Sequence, residues 1–109
     1  MKVFIRTTDG NEWKGQLKEG WFEVEGLRCP AKEVKHLKLI RSPSHSSDHG
    51  DLWLADGTSL RVPLFRPGIL FWRDLRYAIS GQVIVALSSV SLAKTFTVAD
   101  IEYFSTEAN

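Results

Sequence analysis

Residues 4–17 read Phe4-Ile5-Arg6-Thr7-Thr8-Asp9-Gly10-Asn11-Glu12-Trp13-Lys14-Gly15-Gln16-Leu17. Asp-Gly between two alternating runs is a strong hairpin signal, because tight hairpin turns need residues that accept positive φ. The expected hairpin pairs Lys2–Thr8 with Asn11–Lys18, its connection a little long for a strict two-residue turn. Trp13, Gly15 and Leu17 alternate with Glu12, Lys14, Gln16 and Lys18, the period of a strand with one wet face. Phe22 and Val24 alternate with Trp21, Glu23 and Glu25 in the same way.

A second stretch has the same design. Leu52-Trp53-Leu54-Ala55-Asp56-Gly57 leads into Ser59-Leu60-Arg61-Val62-Pro63-Leu64, then Pro67-Gly68-Ile69-Leu70-Phe71-Trp72. Asp9-Gly10 matches Asp56-Gly57 and Leu17 matches Leu64 at one offset, and Gly20 matches Gly68 after one insertion. The halves also close alike. Pro30-Ala31-Lys32-Glu33-Val34 precedes Leu37, Leu39 and Ile40, as Ala86-Leu87-Ser88-Ser89-Val90 precedes Leu92 and Phe96. A period near 47 residues implies two copies of one supersecondary unit. Between them Arg41-Ser42-Pro43-Ser44-His45-Ser46-Ser47-Asp48-His49-Gly50-Asp51 carries no large apolar residue and reads as a solvated loop. The expected organisation is one domain over 1–109, with repeat 1 at 1–41, a polar loop at 42–50 and repeat 2 at 51–104.

Val83-Ile84-Val85-Ala86-Leu87 is β-branched and apolar on both faces, which implies a central strand. No segment carries a helical stripe. Leu70–Ile79 comes nearest, and it reads equally as a turn followed by a strand. Ala31–Val34 and Ser88–Val90 read as single helical turns, Phe96–Phe104 as the last strand, and Ser105–Asn109 as a frayed end. Short strands at this spacing imply an all-β fold: a small barrel or sandwich built from two pseudo-repeated antiparallel units packing their apolar faces together.

The run Val3–Leu17 resembles the opening of Sm-like small β-barrels, in which an alternating strand enters Asp-Gly and Gly-x-Leu follows in a strongly bent second strand. Gly15 stands at the bend position. The resemblance recurs in weakened form at 52–64, where Val62 replaces the glycine. It implies a small bent β unit. The Asp and Asn that read RNA bases in that family are missing after Leu17, where Lys-Glu-Gly-Trp-Phe-Glu stands, and neither half has the family's strand-Arg-Gly turn.

The 109 residues are 43% hydrophobic, 11% aromatic and 25% charged, which excludes a disordered chain. Fourteen Lys and Arg against thirteen Asp and Glu leave a net charge of +1, unlike a strongly basic nucleic-acid binder. No apolar run approaches the ~20 residues of a membrane span. Arg6 interrupts what a secretory leader would keep apolar, and a single cysteine, Cys29, excludes an internal disulfide framework. A cytoplasmic setting is therefore expected, with no membrane association.

Candidate chemistry is sparse. His45 and His49 with Asp48 and Asp51, or Cys29 with His36, offer metal-ligand or thiol chemistry, but without zinc-site or metalloprotease spacing. No phosphate-cradling glycine loop, nucleophile elbow or dinucleotide fingerprint is present. The expectation is therefore no enzyme, no cofactor and no metal. Residues 1–41 hold nine basic and six acidic groups, with Arg28, Lys32, Lys35, Lys38 and Arg41 against Glu33 in the last stretch. The apolar excess in the second half is more informative. Leu64, Leu70 and Trp72 would line one face of a strand and Phe65, Ile69 and Phe71 the other, with Arg66, Arg73 and Arg76 beside them. Something must cover the second face: the C-terminal strand through Ile101, Tyr103 or Phe104, or another chain. The function expected is a non-catalytic protein-binding or assembly module acting through Phe65, Arg66, Ile69, Phe71, Arg73 and Arg76, with a protein partner or self-association. The alternative is a nucleic-acid-binding small β-barrel using Arg28, Lys32, Lys35 and Lys38.

Overall fold

The computed structural model describes residues 1–43, 48–67, 75–87 and 92–106, with the backbone alone at 65–67 and 75–77. Over these residues the fold is all-β and antiparallel, as the alternation implied. Eleven strands follow one another: β1 (Lys2–Thr7), β2 (Glu12–Val24), β3 (Leu27–Pro30), β4 (Val34–Ile40), β5 (His49–Leu54), β6 (Ser59–Pro63), β7 (Phe65–Pro67), β8 (Leu75–Tyr77), β9 (Ile79–Leu87), β10 (Ala93–Thr97) and β11 (Ile101–Thr106). Two 3-10 turns, Ala31–Glu33 and Val98–Asp100, precede β4 and β11.

One sheet of nine strands runs in the order β10-β9-β2-β1-β11-β4-β5-β6, with β3 on β2, and its hydrogen-bonded path is open. β2 organises it. Its first half pairs with β1, its last four residues pair with β3 along the same edge, and β9 runs along the other edge from Gly15 to Val24. The inward positions of β2 change phase, from Gly15 and Leu17 to Phe22 and Val24. A register shift between Leu17 and Glu19 absorbs the change, so two alternating runs of opposite phase form one strand with a bulge. At Gly15 the β9 backbone passes so close that a Cβ would run into the Ala86 carbonyl oxygen.

The Asp-Gly connections are three-residue loops, each a type I turn closed by a left-handed glycine. Gly10 has φ +89° and Gly57 φ +93°. The Thr7 N–H donates to Asn11 O at 2.9 Å and the Gly10 N–H to Thr7 O at 2.9 Å. The Leu54 N–H donates to Thr58 O at 2.8 Å and the Gly57 N–H to Leu54 O at 3.1 Å. Asp9 and Asp56 each accept from the backbone N–H two residues on, at 3.1 and 2.8 Å. The two-residue turn with positive φ at both positions lies instead at Glu25-Gly26, with φ +53° and +84°.

A single core holds the molecule together. Val3 and Ile5, Phe22 and Val24, Leu37 and Leu39, Leu52, Val62, Leu64, Ile79, Val83, Val85, Phe96, Ile101 and Phe104 pack as one cluster. Phe22 and Phe104 meet edge to face at 5.2 Å. Gly50 lies against the side chains of Ile79 and Leu39, so β5 and β9 touch across the core although they share no hydrogen bonds.

Several expectations are corrected. Phe96–Phe104 is not one strand: the Val98–Asp100 turn divides it, burying Val98. That turn precedes β11, and the expected turn at Ser88–Val90 lies outside the described residues. The polar stretch ends earlier than 50. β5 begins at His49; Gly50 is buried against the core, Asp51 is buried on the opposite face under Arg61, and Asp48 is buried where its carbonyl accepts from the Leu64 N–H. Of the strand expected over Leu64–Trp72, residues 68–72 lie outside the described residues, and 65–67 form β7, which pairs with β8 as a separate two-stranded ribbon.

Candidate binding surfaces

The ribbon carries part of the expected site. The Ala78 N–H donates to Leu64 O at 2.9 Å, so the excursion from 65 to 77 is closed at its base by a backbone hydrogen bond. Phe65 stands opposite Tyr77, Arg66 opposite Arg76 and Pro67 opposite Leu75 in register. Ile69, Phe71 and Arg73 lie outside the described residues. Ile101 and Phe104 belong to the main core, and Tyr103 points to the opposite face of the sheet.

The four cations of the alternative site are spread over β3, the first 3-10 turn and β4. Arg28 is stacked on the Trp21 ring at 4.1 Å and paired with Glu23 at 3.4 Å. Lys32 and Lys35 are exposed, Lys35 beside a register irregularity at the start of β4. Lys38 projects from the outer face of β4 with His36 and Ile40, while Leu37 and Leu39 point inward.

That outer face holds what the sequence reading did not assemble. Arg6, Tyr103, Lys38, Asp51 and Arg61 are successive register partners across β1, β11, β4, β5 and β6. The neighbouring row is Phe4, Ser105, His36, Trp53 and Ser59. Aromatic rings connect the rows: Phe4 lies 6.2 Å from Tyr103, the Tyr103 hydroxyl is hydrogen-bonded to His36 Nδ1 at 3.0 Å, and His36 meets Trp53 edge-on at 4.9 Å. Asp51 accepts two hydrogen bonds from Arg61, which hold its carboxyl below the ordinary carboxylate range, with the Arg61, His49 and Lys38 charges adding to them against the opposing effect of burial.

At one end of this face is a cleft of about 500 Å³ lined by Arg6, Thr8, Lys38, Arg41, Glu102 and Tyr103, among others. Arg41 is fixed there. Its guanidinium donates to the carbonyls of Ile101 and Val98 at 2.9 Å each, and to Ala99 at 3.5 Å. Beside the second Asp-Gly turn lies a smaller cavity of about 340 Å³ with Glu33 and Asp56 in its wall.

The Cys29 thiol is pushed above its usual range by burial, then by the charges of Glu33 and Asp56. It packs against the edge of the core, whereas His36 stands on the outer face bonded to Tyr103, so the two do not form a nucleophile and base pair. Among the described residues no group of three metal-ligating side chains comes together, and His45 lies outside them. Among them too, no helix is long and apolar enough to cross a membrane. No family model, curated protein or solved structure matches the chain.

Proposed function

We propose that the chain is a non-catalytic binding module, two copies of one bent β unit wrapped as a small barrel, which engages a protein partner or a second copy of itself through Phe65–Arg76. The observation that carries this reading is the self-paired ribbon. In the first half β2 runs unbroken from Glu12 to Val24, whereas in the second half the chain leaves the sheet after Leu64 and returns at Ala78. The described residues of the excursion add no strand to the nine-stranded sheet, yet its sequence concentrates Phe65, Ile69, Phe71 and Trp72 among arginines. Aromatic and arginine side chains together are what interface centres favour.

Four pairs of hydrogen bonds support the duplication. The turn bonds of Thr7 and Gly10 recur 47 residues later at Leu54 and Gly57. The Leu17 N–H to Met1 O bond, 2.9 Å, recurs as Leu64 to Asp48, 3.0 Å. Each Asp-Gly turn also bonds the 3-10 turn of the other half: the Thr8 N–H to Asp100 O, and the Ala55 N–H to Glu33 O, both 2.9 Å. Wrapping is supported by the single core and by the Gly50–Ile79 contact across the open path. The nucleic-acid reading through Arg28, Lys32, Lys35 and Lys38 has less support, since Arg28 is committed to Trp21 and Glu23.

The test replaces residues 66–76 by a short glycine-containing turn. The shortened chain is expected to keep the circular dichroism spectrum and melting behaviour of the full chain and to sediment as a monomer. The full chain is expected to self-associate or to hold a partner through purification. A full chain that is a strict monomer and carries nothing with it sinks the reading.

A further inference from the structure

We propose that the cleft between β1, β4 and β11 binds a nucleotide, free or within a single strand, its phosphate on Arg6, Lys38 and Arg41 and its base against Tyr103. Size permits it: about 500 Å³ lies within the ~300–1,000 Å³ of small-molecule sites. Charge favours an anion, because three cations line the cleft against one carboxylate, Glu102, even with Arg6 shared with Glu12 at 3.6 Å. An Asp-Gly turn does not by itself demand cations beside it. The cavity beside the other Asp-Gly turn, held by the same backbone hydrogen bonds, is lined by Glu33 and Asp56 instead. Arg41 is pre-organised. Three of the five N–H groups of a guanidinium are spent on the carbonyls of Val98, Ala99 and Ile101, which leaves two donors on a fixed positive charge.

The aromatic wall narrows the class from any anion to a nucleotide. The Tyr103 ring is half-buried, buttressed by Phe4 at 6.2 Å and by the hydrogen bond to His36. A planar base beside its own phosphate presents a π-face to such a ring and its charge to the adjacent cations. Arg6, Lys38 and Tyr103 stand in one register row across three neighbouring strands, so sheet pairing sets their spacing.

The purified full chain is titrated at low salt with inorganic phosphate, a nucleoside triphosphate and a labelled single-stranded RNA octamer. Nucleotide or octamer is expected to bind, more tightly than phosphate. A preference for the triphosphate identifies a free nucleotide as the ligand, and a preference for the octamer, with a log–log salt slope of about −0.7 for the one phosphate held, identifies a strand; either supports the proposal. Arg6→Gln and Lys38→Gln should each weaken binding roughly tenfold, as loss of a hydrogen bond to a charged group does. Lys18→Gln, an exposed cation on β2 outside the cleft, should leave it unchanged. Tyr103→Leu should lower affinity for the nucleotide and not for phosphate. Failure of the folded protein to bind any probe, phosphate binding as tight as nucleotide, or an equal loss with Lys18→Gln and Arg6→Gln overturns the proposal. None of these outcomes bears on the ribbon, which is probed by sedimentation.

Discussion

Asp51 and Arg61 face each other across β5 and β6, and the guanidinium holds both carboxylate oxygens, Nε to Oδ1 at 2.7 Å and Nη2 to Oδ2 at 3.1 Å. Asp51 is nearly buried while Arg61 lies over it largely exposed. The bond lowers the Asp51 pKa in the folded state, so this carboxylate stabilises the fold above the unfolded value of about 4. That contribution is lost as pH falls through the lower folded value. Arg61→Ala should therefore melt below the parent at neutral pH, with the gap closing under strong acid. Parallel melts across the acid range check it, and a gap that stays constant with pH would refute the assignment.

Gly15 and Gly50 are both buried, but a methyl group would meet different obstacles. At Gly15 it meets the Ala86 carbonyl of the paired strand; at Gly50 it meets the side-chain tips of Ile79 and Leu39, the latter at 3.0 Å. Side-chain tips turn aside and a paired backbone does not. Gly15→Ala should cost about 1–3 kcal/mol by overpacking, and Gly50→Ala distinctly less. Urea midpoints rank the two, and the reverse order would show that β9 yields more readily than the core.

Arg41 ties the end of β4 to the turn that starts β11 through two 2.9 Å bonds to the carbonyls of Val98 and Ile101. Arg41→Ala leaves those carbonyls without their charged donor and should cost about 1–3 kcal/mol. The Ile101 amide, which closes the 3-10 turn on Val98 O, should then exchange faster. Hydrogen exchange resolved at that amide is the measurement, and unchanged protection would mean that the turn is held by its own packing.

Cys29 is shielded by burial and by Glu33 and Asp56, which raise its thiol pKa, so at neutral pH it holds less thiolate than a free cysteine. Disulfide reagents should modify it more slowly in the folded chain than in urea, and Glu33→Gln should accelerate the folded rate. A folded rate above that of the denatured chain would reverse this picture of the site.

Alternation made β1, β2 and β6 legible, because one buried face leaves a period of two in any sequence, and β9 was legible from its β-branched apolar run. The bulge was also traceable, since Leu17 and Phe22 are out of phase and a strand that keeps both inside must shift once. The division of Phe96–Phe104 was not. Val98 and Ile101 continue an apolar pattern, and the turn between them is held in part by hydrogen bonds from Thr8 and Arg41, in distant parts of the chain. The burial of Asp51 was equally hidden: in sequence it sits at the rim of a polar run, and its partner Arg61 is a neighbour only across the sheet.

The amino-acid order alone settled the class of fold, the two Asp-Gly turns and the inward residues of the main strands, since these depend on contacts within a few residues. The outer face was decided by tertiary structure. Phe4, His36, Trp53 and Tyr103 share no local pattern and meet because β1, β11, β4 and β5 pair in that order. Strand order is set by which greasy faces can reach a common core, a property of the whole chain and of no single stretch.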